Sequence, residues 1–264
     1  MGKEVKAQLS VFIIIALSII VLGILFYIRN QRFKNQTSDF DRPGFENLKK
    51  SIVDCVKKSS KDSLIKIGLQ GGYYKKPEKY LNISDFFVPY YYYEDNLLLP
   101  ELTKIESELS YSMDENFLNC LKEIKIQNFE ISYAKPKTKS FIEKEKIKFV
   151  IDLPISVKKD KKTTLLQLNT LPVTIDSSLY EIYELAKFIS ESLKKDDRYT
   201  CLSCIYEIAK ERNLYVDIIN FDSSSSVYII SENHTTSEFY YYQFLSKRKK
   251  LDDFIVNFPP LPPK

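Results

Sequence analysis

The chain has 264 residues, 39 of them basic and 35 acidic, for a net charge of +4. The lysines are scattered over a mixed-charge sequence, which excludes the striped basic footprint of a nucleic-acid binder. With one histidine and four cysteines, little is available for a histidine-based hydrolase or a zinc cluster.

Residues 1–8, MGKEVKAQ, form a short basic leader. Leu9 to Ile28, LSVFIIIALSIIVLGILFYI, carries no charge. As a helix it is roughly 30 Å long, the thickness of a bilayer's hydrocarbon core, so residues 9–28 are expected to span a membrane once and to contact its lipid. A cleaved secretory signal fits less well, because its apolar region is about 7–15 residues and ends at a small-residue cleavage site. Lys6-Ala7-Gln8-Leu9-Ser10 abuts the apolar run and resembles the class III, prepilin-like leader of archaea. That resemblance implies cutting between Ala7 and Gln8 with the hydrophobic helix retained. The sequence departs from the pilin pattern at Phe12, where pilins carry Glu; anchoring does not depend on that position. Lys3 and Lys6 precede the span, and Arg29, Arg32 and Lys34 follow it. The positive-inside count is therefore near balance, and long domains translocate largely regardless of nearby charge. The leader and the cysteines favour an external domain over residues 30–264.

Residues 29–44 are polar and read as a juxtamembrane linker. Phe45, Leu48, Ile52, Cys55, Val56, Leu64 and Ile67 then recur at three- and four-residue intervals, one face of a helix that Gly68 stops. Leu69-Gln70-Gly71-Gly72-Tyr73-Tyr74 reads as a glycine turn, since no phosphate-loop pattern accompanies it. Residues 75–100 look like an irregular aromatic loop. Within it, Tyr90, Tyr91, Tyr92 and Tyr93 are candidates for a contact surface, tyrosine being a good contact residue. A second helix is expected after Pro100, with Thr103 and Glu106 spaced as a capping box and a stripe from Leu102 to Ile124. Residues 45–127 thus form a helical subdomain with an aromatic loop.

After Gln127 the period changes to two. Phe129–Tyr133 is a short strand, Phe149 to Val157 a long one, and Thr163 to Ile175 its returning partner, with Pro172 marking an edge or bulge. Ser178-x-x-Glu181 is spaced to cap a third helix bearing Leu179, Ile182, Leu185, Ala186, Ile189 and Leu193, and a fourth runs from about Thr200 to Arg212. A closing meander follows, from Leu214 to Ser246. Residues 128–258 make an α+β subdomain, and 259–264 a Pro-rich tail able to adopt a polyproline helix. The fold class is α+β: an N-terminal transmembrane helix, then a helical pair and mostly antiparallel sheet with two further helices.

Cys55 and Cys120 sit on the apolar stripes of the first two helices, in the similar contexts IVDCVKK and NFLNCLKE. Antiparallel packing brings them together as a disulfide, with two buried free thiols the alternative. Cys201 and Cys204 form a CxxC at a helix start, where the dipole favours a thiolate. A structural bridge covered by the third helix or the meander is the expectation there, because a thioredoxin-like motif belongs in a βαβ context. Metal binding lacks a second CxxC, and His234 stands alone in a turn. No GxSxG, Walker A, HExxH or GxGxxG occurs, and acidic pairs such as Glu94-Asp95 read as solvated surface. These absences point away from an enzyme, and no cofactor is expected. Sequons at Asn35, Asn82 and Asn233 fall in segments read as linker, loop and turn, a placement that suits an external domain.

The leader and anchor, the Cys-bearing helix ending in GLQGGYY, the second Cys-bearing helix and the final YYYQF strand together resemble a family of single-span, membrane-anchored proteins of small-genome (DPANN-type) archaea. The resemblance spans most of the chain and implies an anchored, surface-facing domain without attaching an activity to it. The expectation is an outward-facing cell-envelope protein that acts by contact or assembly, pilin-like in its leader, with a protein or glycan partner. The alternative is a membrane-tethered thiol–disulfide oxidoreductase using Cys201 and Cys204.

Overall fold

The computed structural model describes residues 42–125, 129–160, 162–167, 173–232 and 240–249. The expected membrane span, Ala7 and Gln8, the sequons at Asn35 and Asn233, His234 and the Pro-rich tail lie outside the described residues. Among the described residues no helix is long and apolar enough to cross a membrane. Those residues make a mixed α+β fold with four helices and largely antiparallel sheets.

Helix α1 (Arg42–Leu69) and helix α2 (Leu102–Glu123) carry the two long apolar stripes. Leu48, Ile52 and Ile67 from the first and Ile105, Leu109 and Phe117 from the second are fully buried, and the helices pack along each other. The largest sheet has the order β1 (Tyr80–Ile83), β2 (Phe86–Tyr93), β12 (Tyr241–Lys247), β11 (Ser225–Glu232), β10 (Leu214–Asn220), with β3 (Asn96–Leu97) also beside β2. Its one parallel pairing among the described residues joins β2 to β12. This pairing crosses the expected boundary near residue 128, and the buried cluster is likewise continuous across it.

The segment expected as an aromatic loop is therefore mostly sheet. Its eight-residue strand FFVPYYYY is covered on both faces and shows no period-two alternation. Pro89 lies within this strand although proline cannot donate to a ladder. In the fold, pairing of β2 with β12 begins only at Tyr90, so no ladder bond to that strand is lost.

Two small sheets complete the fold: β4 (Glu130–Tyr133), β7 (Pro154–Lys159) and β8 (Lys162–Gln167), and β5 (Lys137–Glu143), β6 (Lys146–Asp152) and β9 (Val173–Asp176). The single long strand expected over 149–157 is thus two strands in different sheets. Pro154 begins the second, a position where its missing N–H is harmless, and the buried Leu153 forms the joint. Helix α3 (Leu179–Lys195) and helix α4 (Leu202–Glu211) follow, with α4 packed on β10 and on α3. Neither expected capping box forms, as Glu101 and Ser178 hold the N-cap positions of α2 and α3 without a side-chain bond. Glu106 instead accepts from the Ile142 N–H at 2.8 Å, and Glu181 pairs with Arg212 at 3.2 Å. Tertiary partners outcompeted the local ones.

The end of α1 docks against β12 at very close range. The Gly72 N–H donates to the Ile67 carbonyl at 2.8 Å, and Gly71 takes φ +51°, which closes the helix as a left-handed cap. Gln243 Nε2 donates to the Leu69 carbonyl at 2.7 Å. A Cβ on Gly68 would lie 2.3 Å from the Tyr241 carbonyl oxygen. Because that atom is backbone, Gly68→Ala is expected to cost roughly 1–3 kcal/mol, in the range of an overpacked core. Urea denaturation measures it, and an unchanged midpoint would refute this docking.

Candidate functional site

The four cysteines form two bridges. Cys55 and Cys120 link α1 to α2 with Cα atoms 5.7 Å apart, and Cys201 and Cys204 are joined across 5.3 Å. Among the described residues no group of His, Cys, Asp and Glu is placed to hold a metal. Asn82 lies on β1, not in a loop; its side chain is exposed and accepts from Lys76 Nζ at 3.1 Å.

Of the contact candidates Tyr90–Tyr93, the central two are buried and offer no contact surface. Tyr91 and Tyr92 are 0% and 1% exposed, while Tyr90 and Tyr93 are half-buried and meet edge to face at 5.1 Å. The Tyr91 hydroxyl donates to the Gly71 carbonyl at 2.9 Å and shares a 2.5 Å hydrogen bond with the Tyr242 hydroxyl. Its ring stacks on Phe244 at 4.5 Å. Burial pushes the Tyr91 and Tyr242 phenols above their ordinary pKa. Tyr92 donates to Asp197 Oδ2 at 3.2 Å. Tyr91 and Tyr92 belong to the core, with each buried hydroxyl given a partner.

The second bridge is where the structure departs most from expectation. Cys201 is the N-cap residue of α4, and its Sγ accepts from the Cys204 N–H at 3.3 Å. The helix rests on Ile205 and Ala209, both 2% exposed. Leu202 and Ser203 of its first turn are exposed, and Cys201 and Cys204 are half-buried, so the pair does not belong to the core. Tyr199 at 69% and Leu202 at 51% exposure flank them.

Beside this turn lies a groove of about 470 Å³ between α4 and the ends of β10 and β11. Leu202, Tyr206 and Ile218 make an apolar wall. Opposite, Ser226 Oγ donates to Asn220 Oδ1 at 2.6 Å, and Arg248 Nη2 donates to Thr200 Oγ1 at 2.7 Å. The N–H groups of Ser224 and Ser225 hold the Asp222 carboxyl below the usual carboxylate range. Two further polar atoms of the lining, Tyr228 Oη and Arg248 Nε, are buried without a hydrogen-bond partner among the described residues.

The other face of β10 carries exposed apolar side chains on either side of the exposed Asp217. Tyr215, Ile219 and Phe221 are 59%, 52% and 46% exposed. The register sets Ile219 beside Val227, and Tyr215 beside Ser231 and then Tyr241. Among the described residues β10 is an edge strand, since only β11 pairs with it. The sequence carried one signal of this, apolar residues at both parities of LYVDIINF, which a strand with one solvated face does not need. No family model, curated protein or solved structure matches the chain.

Proposed function

We propose that this protein is an outward-facing cell-envelope component, anchored through residues 9–28, that works by contact with a protein partner. The observation that carries the reading is the exposed pair Tyr215 and Ile219 on the solvent side of an edge strand, with the exposed Phe221 just past its end. An edge strand offers unpaired N–H and C=O groups, and flanking apolar side chains add a surface that a protein strand complements better than a glycan. Two disulfides suit an oxidising compartment outside the membrane. The charge-free run from Leu9 to Ile28 and the prepilin-like leader supply the anchor.

The test has two arms on protein in its native membrane. Protease added to intact cells should remove residues 30–264 and spare the anchor; complete protection overturns the outward reading. A photo-crosslinking residue at position 215 or 219 should give one discrete protein adduct, whereas at Phe141 or Leu165, also exposed, it should give none. Equal yields at all four positions overturn the contact face.

A further inference from the structure

We propose that Cys201–Cys204 is an exchangeable disulfide that accepts electrons from a dithiol on a protein segment seated in the adjoining groove. Three observations converge on it. Cys55 is 6% exposed and its bridge to the half-buried Cys120 ties α1 to α2, whereas neither member of the second bridge is buried. Cys201 Sγ stands at the start of a ten-residue helix and accepts the Cys204 N–H, also approaching Ser203 Oγ at 3.6 Å on the exposed side. The groove beside it combines the apolar wall of Leu202, Tyr206 and Ile218 with the hydroxyl of the fully buried Tyr228, which has no hydrogen-bond partner among the described residues. An apolar wall with a few convergent polar groups is what a short peptide segment needs.

The partner's first thiolate attacks Cys201 Sγ, the bond to Cys204 breaks, and Cys204 leaves as a thiolate that takes up a proton. The partner's second thiolate then attacks the partner sulfur of the mixed disulfide. Cys201 is released as a thiolate, stabilised by the Cys204 N–H and the helix N-terminus. The partner loses two electrons and closes its own disulfide; Cys201 and Cys204 gain them and end reduced, Cys204 as the thiol and Cys201 as the thiolate, which a proton from solvent converts to a second thiol. This chemistry does not rest on the contact face across β10, since the groove lies on the opposite side of that strand.

The probe is a synthetic reduced peptide with two cysteines flanked by Leu and Phe, mixed with the full chain in detergent micelles. Acid quenching and peptide mapping follow each bridge while near-ultraviolet circular dichroism follows the fold. Cys201–Cys204 should open at least about tenfold faster than Cys55–Cys120, access to sulfur being a main determinant of exchange rate. The Cys204→Ser chain, given the oxidised peptide, should accumulate a mixed disulfide at Cys201. Tyr206→Ser should slow the peptide and leave dithiothreitol unaffected. Equal opening rates for the two bridges, or opening only after unfolding, overturn the proposal. Equal slowing of peptide and dithiothreitol overturns the part given to the groove. A slow pair in a domain that cell-surface protease removes defeats this inference alone; a fast pair in a protease-protected domain defeats only the outward reading.

Discussion

Replacing Cys55 and Cys120 together with Ser is expected to lower the unfolding free energy by about 4 kcal/mol, the chain-entropy value for a loop of this size. The bridge closes 65 residues of chain and therefore removes many conformations from the unfolded ensemble. In the folded state it ties α1 to α2, the pair on which Leu48, Ile52, Leu109 and Phe117 are buried. A Ser hydroxyl at the nearly buried position 55 also needs a hydrogen-bond partner that a sulfur did not. The melting temperature should fall by roughly 10 °C, taking the usual shift per kcal/mol for a domain of this length. Cys201→Ser with Cys204→Ser is the internal comparison. Its loop spans three residues, and the same model gives only about 1.5–2 kcal/mol. Urea denaturation with linear extrapolation separates the two, and equal losses would contradict an origin in the unfolded chain.

The long-range bridge was legible because both cysteines occupy helical stripes, whose period is robust over many turns. The meander was legible for the matching reason: the turn around Asp222–Ser226 separates runs of apolar residues, and β10, β11 and β12 follow in order. What failed were positions where a local signal and the tertiary environment disagreed. Pro89 reads as a loop residue, yet it sits in β2 just before the register at which pairing with β12 begins. Thr103–Glu106 and Ser178–Glu181 have capping spacing, but their carboxylates are recruited by Ile142 and Arg212. The groove was invisible for a different reason. Thr200, Ile218, Tyr228 and Arg248 line it from four separate stretches of chain, and only the packing of α4 on β10 brings them together.

The motifs that stood out singly in the sequence turn out to be one structural unit. The glycines of GLQGGYY let α1 end against the backbone of β12, where a Cβ on Gly71 would lie 2.6 Å from the Gln243 carbonyl oxygen. The same turn offers its Gly71 carbonyl to Tyr91, whose hydroxyl also meets that of Tyr242. Thus the turn, the tyrosine run and the final YYYQF strand depend on one another, and the tyrosines at their junction are unavailable for binding. The exposed apolar side chains lie instead on the far side of the sheet, at Tyr215 and Ile219, and at the rim of α4, at Leu202 and Tyr206.

That junction is held from its other side by Glu108, and Glu108→Ala is expected to cost about 3 kcal/mol, the range for charged hydrogen bonds lost from a buried acceptor. Its side chain is 2% exposed. Oε2 accepts from both the Tyr74 and Lys75 N–H groups at 2.9 Å, directly after the glycine turn. Oε1 pairs with Lys104 Nζ at 2.6 Å. Burial, aided by this carboxylate, pushes the Tyr73 phenol up to about 12. Removing the carboxylate leaves two backbone donors without their acceptor, whereas Lys104, at 52% side-chain exposure, turns back to water. Lys104→Ala should therefore cost under about 1 kcal/mol, as exposed ion pairs do. Glu108→Gln retains an acceptor oxygen for the two N–H groups but turns an amide toward the ammonium, and should fall between the two. Amide hydrogen exchange at Tyr74 and Lys75 should quicken in Glu108→Ala and stay slow in Lys104→Ala. If Lys104→Ala matched Glu108→Ala in both stability and exchange, the ion pair, not the acceptance of the turn's N–H groups, would be what fixes the end of α1 to the fold.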